Sequence, residues 1–114
     1  MATADDLRRI ALAFPGAEEQ PHFDRRAFRG RRIFATLAPD QLTANLMLTP
    51  DEQEMQVALR PAACAKLPNK WGDAGATCVT LAAVDVQELQ AMMALAWAHA
   101  APAPRKPRGK TPRA

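Results

Sequence analysis

The chain has 114 residues, a mass of 12.4 kDa and a net charge of +3, which is the length of a single domain. It contains no serine and no tyrosine, and its two cysteines and two histidines are too few for a Cys₄ or Cys₃His zinc site. Serine hydrolases and tyrosine-dependent enzymes are therefore excluded. Because no apolar run reaches the roughly 20 residues of a membrane span, we expect a soluble, cytoplasmic monomer without a membrane partner.

The first predicted element is a helix that begins after Thr3 and ends at Pro15-Gly16. Apolar residues at positions 7, 10, 11 and 14 recur with helical spacing, and Thr3 with Asp6 resembles a capping box. The polar stretch 17–24, which contains Pro21, is predicted to be a loop.

Three short strands are predicted next, over residues 27–29, 31–37 and 42–48. Apolar side chains alternate along the second and third strands, which is typical of strands with one buried face. Gly30 supplies the backbone freedom of a tight turn between the first two strands. Pro39-Asp40 predicts the turn between the second and third.

A helix, a strand and a final helix complete the predicted domain. Thr49, Pro50 and Glu52 form a strong helix start, and this helix ends at Pro61. Residues 62–65 are predicted as a further helical turn, 68–76 as a loop and 77–81 as a strand, before a helix capped by Asp85 and Glu88. The order α-β-β-β-α-β-α predicts an α+β fold, a two-layer sandwich in which helices cover one face of an antiparallel sheet.

The last 14 residues differ in composition from the rest of the chain. Residues 1–100 contain ten Lys/Arg and twelve Asp/Glu, whereas the last 14 contain four prolines, no acid and five cations. These cations are Arg105, Lys106, Arg108, Lys110 and Arg113. We therefore predict a domain over residues 1–100 and a disordered, basic, proline-rich tail over residues 101–114.

Half of the domain's basic residues form an arginine cluster. Its members are Arg25, Arg26, Arg29, Arg31 and Arg32. On an exposed hairpin, their guanidinium groups would project together into solvent and contact phosphates in a salt-dependent manner. The alternative is a solvated hairpin that is partly neutralised by Glu18, Glu19 and Asp24. The tail cations could likewise bind DNA, RNA or anionic lipid, or only keep the protein soluble.

Other candidate side chains have structural alternatives that we favour. Lys70 and Trp71 could place a cation beside a platform for base stacking, but a lone tryptophan between prolines and glycines more often anchors a loop to the core. The four phenylalanines are expected to pack inside the protein. For His22, a hydrogen bond that orders its loop is favoured over a role as general base or metal ligand. We expect no metal, no cofactor and two reduced cysteines.

Several motifs resemble those of the MmcQ/YjbR family. They include Ala13-Phe14-Pro15-Gly16, Pro21-His22-Phe23, Ala27-Phe28-Arg29-Gly30, Leu48-Thr49-Pro50-Asp51-Glu52 and Pro68-Asn69-Lys70-Trp71-Gly72. The resemblance covers about residues 5–101 and implies a CyaY-like fold and the label "DNA-binding protein". It implies no catalytic residues. The acidic ridge through which frataxin-type proteins of that fold bind iron has no counterpart in this sequence.

These observations lead to one preferred function and one alternative. We expect a small non-enzymatic protein that binds DNA phosphates weakly and without strong sequence preference, through the arginine cluster, Lys70, Trp71 and the tail. The alternative is a protein-binding or small-ligand-binding module with a pocket around His22 and Trp71.

Overall fold

Six antiparallel strands form one sheet in the computed structural model, which describes residues 1–101. The strands are β1 (Glu18–His22), β2 (Arg25–Arg29), β3 (Ile33–Leu37), β4 (Thr43–Met47), β5 (Cys64–Lys66) and β6 (Ala76–Thr80), and their order in the sheet is β1-β2-β3-β4-β6-β5. The helices are α1 (Ala4–Ala13), α2 (Pro50–Leu59), α3 (Lys70–Asp73) and α4 (Val86–Ala98), with a 3₁₀ turn over Leu81–Ala83. The predicted α+β class is confirmed. The tail cations lie outside the described residues.

Capping boxes start the three long helices, as the sequence predicts. They pair Thr3 with Asp6, Thr49 with Glu52, and Asp85 with Glu88. In each box both the side chain and the backbone of the capping residue are bonded, which satisfies backbone N–H groups that have no partner within the helix. Within residues 1–101, none of the helices combines the length and apolar character that spanning a bilayer requires.

The core lies between the helices and one face of the sheet. Fully buried strand residues such as Phe28, Leu46 and Val79 belong to the same apolar cluster as Leu7 of α1 and Met92 of α4. One end of this layer is closed by aromatic rings. Phe14 stacks on Trp97 with ring centroids 5.2 Å apart, and Phe34 meets Trp97 edge to face at 5.0 Å. The prediction that Phe14, Phe28 and Phe34 pack inside is confirmed.

The predicted loop over residues 17–24 is wrong, because most of it forms β1. This strand pairs with β2 along its whole length, from Glu18 opposite Arg29 to His22 opposite Arg25. β1 lies at the edge of the sheet, where Pro21 is tolerated. The polar composition that predicts a loop therefore belongs to an edge strand.

Two further predictions fail between α2 and β6. The predicted helical turn over residues 62–65 is wrong, because Cys64–Lys66 form β5 and pair with β6. The predicted loop over residues 68–76 contains the short helix α3, whose N-cap Asn69 accepts a hydrogen bond from the Gly72 backbone N–H at 3.1 Å. Both elements are short, so they offer no periodic signal in the sequence.

Gly30 is needed for close packing rather than for backbone freedom. Its φ angle is not in the left-handed region. A Cβ atom at this position would lie 2.7 Å from the Trp97 ring and would also collide with the Ala100 carbonyl oxygen. The backbone N–H of Arg31 donates to that same oxygen at 2.6 Å. The β2–β3 connection is thereby fastened to the end of α4.

The second face of the sheet is not covered by α1, α2 and α4. Ala27, Thr36, Asn45 and Cys78 form a row across this open face, because each lies opposite the next in the strand register. Small and polar side chains in this row leave a shallow floor. The open face is where the candidate site lies.

Candidate ligand-binding cleft

The open face of the sheet forms the floor of a cleft of about 840 Å³. Thr36, Asn45 and Met47 contribute to the floor. The β1–β2 turn borders the cleft with Phe23, and α3 borders it with Trp71. The cleft is therefore built from segments that are distant in sequence.

Three members of the arginine cluster line this cleft, namely Arg25, Arg29 and Arg32. Arg25 Nε donates to Thr36 Oγ1 at 2.9 Å, and Arg29 Nη2 donates to the Arg31 carbonyl oxygen at 3.1 Å. Arg32 is exposed. No aspartate or glutamate lies among the lining residues that the structure describes. The cleft is thus electropositive, although residues 1–100 carry more acids than bases.

The expectation that all five guanidinium groups project together is wrong. Side chains of neighbouring strand residues point to opposite faces, and Arg26 accordingly lies on the face opposite to Arg25. There Arg26 Nε donates to Glu19 Oε2 at 2.7 Å. Arg31 is also engaged elsewhere, because its Nη2 donates to the His99 carbonyl oxygen at 3.0 Å.

Glu19 forms ion pairs with both Arg8 and Arg26, and it holds Arg26 on the face opposite to the cleft. Arg8 Nε of α1 donates to Glu19 Oε1 at 3.0 Å, so Glu19 joins the first helix to the sheet. Partial burial raises the pKa of Glu19, but the hydrogen bonds from Arg8 and Arg26 outweigh it and bring the pKa below the ordinary value of 4.5. Glu19 therefore remains charged and keeps Arg26 neutralised at physiological pH.

Phe23 is exposed, contrary to the prediction that it packs inside. It occupies the two-residue β1–β2 turn with a φ of +58° and is 93% exposed. Turns of this length favour asparagine and glycine at positive φ, and a bulky residue there is unusual. Its ring meets the His22 ring edge to face, with centroids 4.8 Å apart. The structure thus presents an aromatic ring at the cleft border despite an unfavourable backbone conformation.

The favoured prediction for Trp71, a core anchor, is also wrong. Trp71 is 68% exposed and lines the cleft. The inward position of α3 belongs to Gly72, where a Cβ atom would collide with the Leu67 backbone. The buried Gln53 of α2 donates to the Gly72 and Ala76 carbonyl oxygens at 2.9 and 2.8 Å. The backbone of α3 is therefore anchored while its tryptophan faces outwards. Lys70 is exposed and is not among the cleft-lining residues.

The two histidines lie at different parts of the cleft. His22 is the last residue of β1, so it lies in a strand rather than in the predicted loop, and its ring contacts the Phe23 ring. His99 ends α4, and its Nε2 lies 2.9 and 3.2 Å from the two carboxylate oxygens of Glu52. Burial raises the pKa of Glu52, but hydrogen bonds from Thr49 and His99 lower it below its ordinary value.

Comparison with known proteins supplies the family. A model of the YjbR family matches residues 12–99. This chain belongs to the YjbR family. Among solved structures, Deinococcus radiodurans protein DR2400, described as a DUF419 domain, superposes with a TM-score of 0.72 and 22% sequence identity, over 85% of this chain and 77% of that one. At that identity the likeness shows a shared fold alone. No curated protein matches the chain.

In this YjbR-family chain, four of the five motifs that carry the family resemblance contribute residues to the cleft. His22 and Phe23 come from the second of these motifs and Arg29 from the third, while Asn69 and Trp71 come from the last. The residues joining β4 to α2 also line the cleft. Segments about 45 residues apart thus converge on one surface.

Proposed function

We propose that this chain is a non-enzymatic protein that binds single-stranded nucleic acid along the cleft, without strong sequence preference. The observation that carries the proposal is that two exposed aromatic rings, Phe23 and Trp71, line the same cleft as three arginines. Bases stack on aromatic side chains and phosphates attract cations. Because every base has a stackable face, such binding tolerates many sequences.

The choice of a single strand follows from the shape and chemistry of the cleft. Stacking on Phe23 and Trp71 requires bases whose faces are free, and a duplex keeps these faces occupied by neighbouring base pairs. The arginines lie within a concavity rather than on a protruding hairpin, and Arg26 is paired with Glu19 on the other face. The tail cations would add salt-dependent affinity through their charge.

The contacts of Cys64 and of the two histidines support binding rather than catalysis. Burial raises the pKa of the Cys64 thiol, whose Sγ lies 3.7 Å from Met92 Sδ, so a thiolate nucleophile is disfavoured. His99 already contacts Glu52, and the His22 ring contacts Phe23. A nucleophile with an adjacent base is the minimum arrangement for covalent catalysis, and these contacts do not provide it.

A small-ligand function is the second candidate, and the size of the cleft favours it. Binding sites for small molecules usually have volumes of about 300–1,000 Å³, and this cleft falls in that range. An anionic ligand with a planar ring would use the same arginines and aromatic rings. The two candidates differ in whether ligand length matters.

Fluorescence anisotropy with a labelled oligothymidylate of about 12 nucleotides, a duplex of the same length and a thymidine mononucleotide tests the proposal. We expect the single strand to bind more tightly than either of the others. The variant Arg25/Arg29/Arg32→Gln should weaken binding about tenfold or more and reduce the log–log salt slope by about 2. Equal affinity for the mononucleotide would favour the small-ligand function.

Two control variants separate the cleft from simple charge. Arg9/Arg26/Lys66→Gln removes the same charge outside the cleft, and we expect it to change affinity much less. A third variant converts the tail cations to glutamine in the full-length chain. If only this tail variant loses affinity, or if both triple variants lose it equally, the cleft is not the binding site.

A further inference from the structure

One donor on the floor of the cleft has no acceptor. Arg25 Nε bonds to Thr36 Oγ1, whereas Arg25 Nη2 is buried and has no hydrogen-bond partner within residues 1–101. Burying a charged donor without a partner costs free energy. A bound acceptor would remove this cost.

The surroundings of Arg25 suit an anionic acceptor. The guanidinium group reaches from β2 over Thr36 of β3, and Asn45 of β4 lies directly opposite Thr36 in the register. Asn45 is half-buried and lines the cleft, so its amide offers a further donor. With no carboxylate in the described lining, nothing in the cleft competes for the guanidinium group.

We propose that Arg25 and Asn45 form a subsite for the terminal phosphate of a single strand. This proposal rests on the proposed function and specifies which part of the strand the floor of the cleft binds. A terminal phosphate has three free oxygens and nearly two negative charges at neutral pH, so it can accept from the guanidinium edge and the Asn45 amide together. Because it is at the end of the strand, it can also reach the floor of the cleft first, ahead of the nucleotides. An internal phosphodiester has nucleotides on both sides and would have to fold both into the cleft.

Binding of the full-length protein to three oligothymidylates tests this subsite. The strands are identical except for a 5′-phosphate, a 3′-phosphate or no terminal phosphate. We expect one phosphorylated strand to bind about tenfold more tightly than the unphosphorylated strand, equivalent to about 1.4 kcal/mol. Inorganic phosphate should compete with that strand and not with the unphosphorylated one.

Three substitutions locate the preference. Arg25→Lys, which loses the planar fork, should abolish the difference in affinity between the phosphorylated and unphosphorylated strands measured with the same variant, whereas Arg29→Lys should retain that difference. Asn45→Asp is nearly isosteric and should abolish the preference by repulsion. This second variant keeps the test decisive if Arg25→Lys unfolds.

The outcomes distinguish this proposal from the proposed function. Equal binding of all three strands, with cleft variants still weakening it, would overturn the phosphate subsite and leave strand binding intact. A mononucleotide that binds as tightly as the phosphorylated strand, in an Arg25-dependent manner, would overturn the assignment to a strand end. Absence of binding by every strand would overturn both proposals.

Discussion

Replacing Phe23 with asparagine should stabilise the fold and weaken nucleic-acid binding. The residue adopts a φ of +58°, a conformation that costs an L-residue about 1–2 kcal/mol and that asparagine tolerates well. Since the ring is 93% exposed, its removal sacrifices little burial. The edge contact with His22 accounts for about 0.5–1 kcal/mol. The net gain in the free energy of unfolding is about 0–1.5 kcal/mol, and its midpoint of about 0.75 kcal/mol raises Tm by about 3–6 °C.

The same substitution removes a stacking platform. Stacking of one base contributes about 1–3 kcal/mol, so the affinity for oligothymidylate should fall by about 5-fold to 150-fold. Thermal unfolding monitored by circular dichroism and fluorescence anisotropy measure the two effects. Gln41→Asn is the matched control, because Gln41 has a φ of +62° and lies outside the cleft. It should raise Tm without changing affinity. A Phe23→Asn protein that is less stable than the native protein, or that binds oligothymidylate equally well, would contradict these two expectations.

Three further substitutions test other parts of the account. Gly30→Ala should lower the stability by about 2 kcal/mol, measured by urea denaturation, because the added Cβ collides with the Trp97 ring; an unchanged midpoint would contradict that packing. Glu19→Gln should lower the stability by about 1–2 kcal/mol at pH 7. Since the folded-state pKa of Glu19 is depressed, this difference should be present above the ordinary carboxyl pKa and vanish as pH falls through the folded-state value; a pH-independent difference would contradict the ion pair. Gln53→Leu should release α3, because it removes the hydrogen bonds to the Gly72 and Ala76 carbonyl oxygens, and the displaced Trp71 should weaken oligothymidylate binding. Retained affinity together with an unchanged Trp71 fluorescence spectrum would show that α3 needs no such anchor.

The sequence predicts the long helices well and the edges of the sheet poorly. Capping residues and periodic apolar positions are local signals, and the predicted starts at Thr3, Thr49 and Asp85 are confirmed. β1 escaped prediction because its residues are polar, and its stability depends on pairing with β2 and on the contacts of Glu19 with two arginines. Such pairing is not visible in the local pattern.

The sequence also identifies which segments contribute to the site, but it does not predict which side chains face the cleft. It indicates the arginine cluster and a pocket around His22 and Trp71, and the structure places three of the arginines with both residues. The strand register and the ion pairs of Glu19 determine which arginines share a face. The composition of the sequence reveals neither the register nor these ion pairs. Phe23 and Trp71 are misassigned because aromatic residues usually belong to cores, as Phe28 and Phe34 do here. A usable signal was present at Gly72, whose lack of a side chain marks the inward position of α3 and so turns its neighbour outwards.

Binding of a single strand in the cleft is tested most directly by the two tryptophan indole N–H signals in an NMR titration of the full-length protein with oligothymidylate. Trp71 lines the cleft and Trp97 packs against Phe14 behind the sheet, so each signal reports on a different side of the sheet. We expect a progressive shift of the Trp71 indole signal, together with the backbone signals of Phe23 and Asn45, while the Trp97 signal stays in place. Shifts confined to residues 102–114, or a Trp71 signal that does not move at saturation, would contradict binding in the cleft.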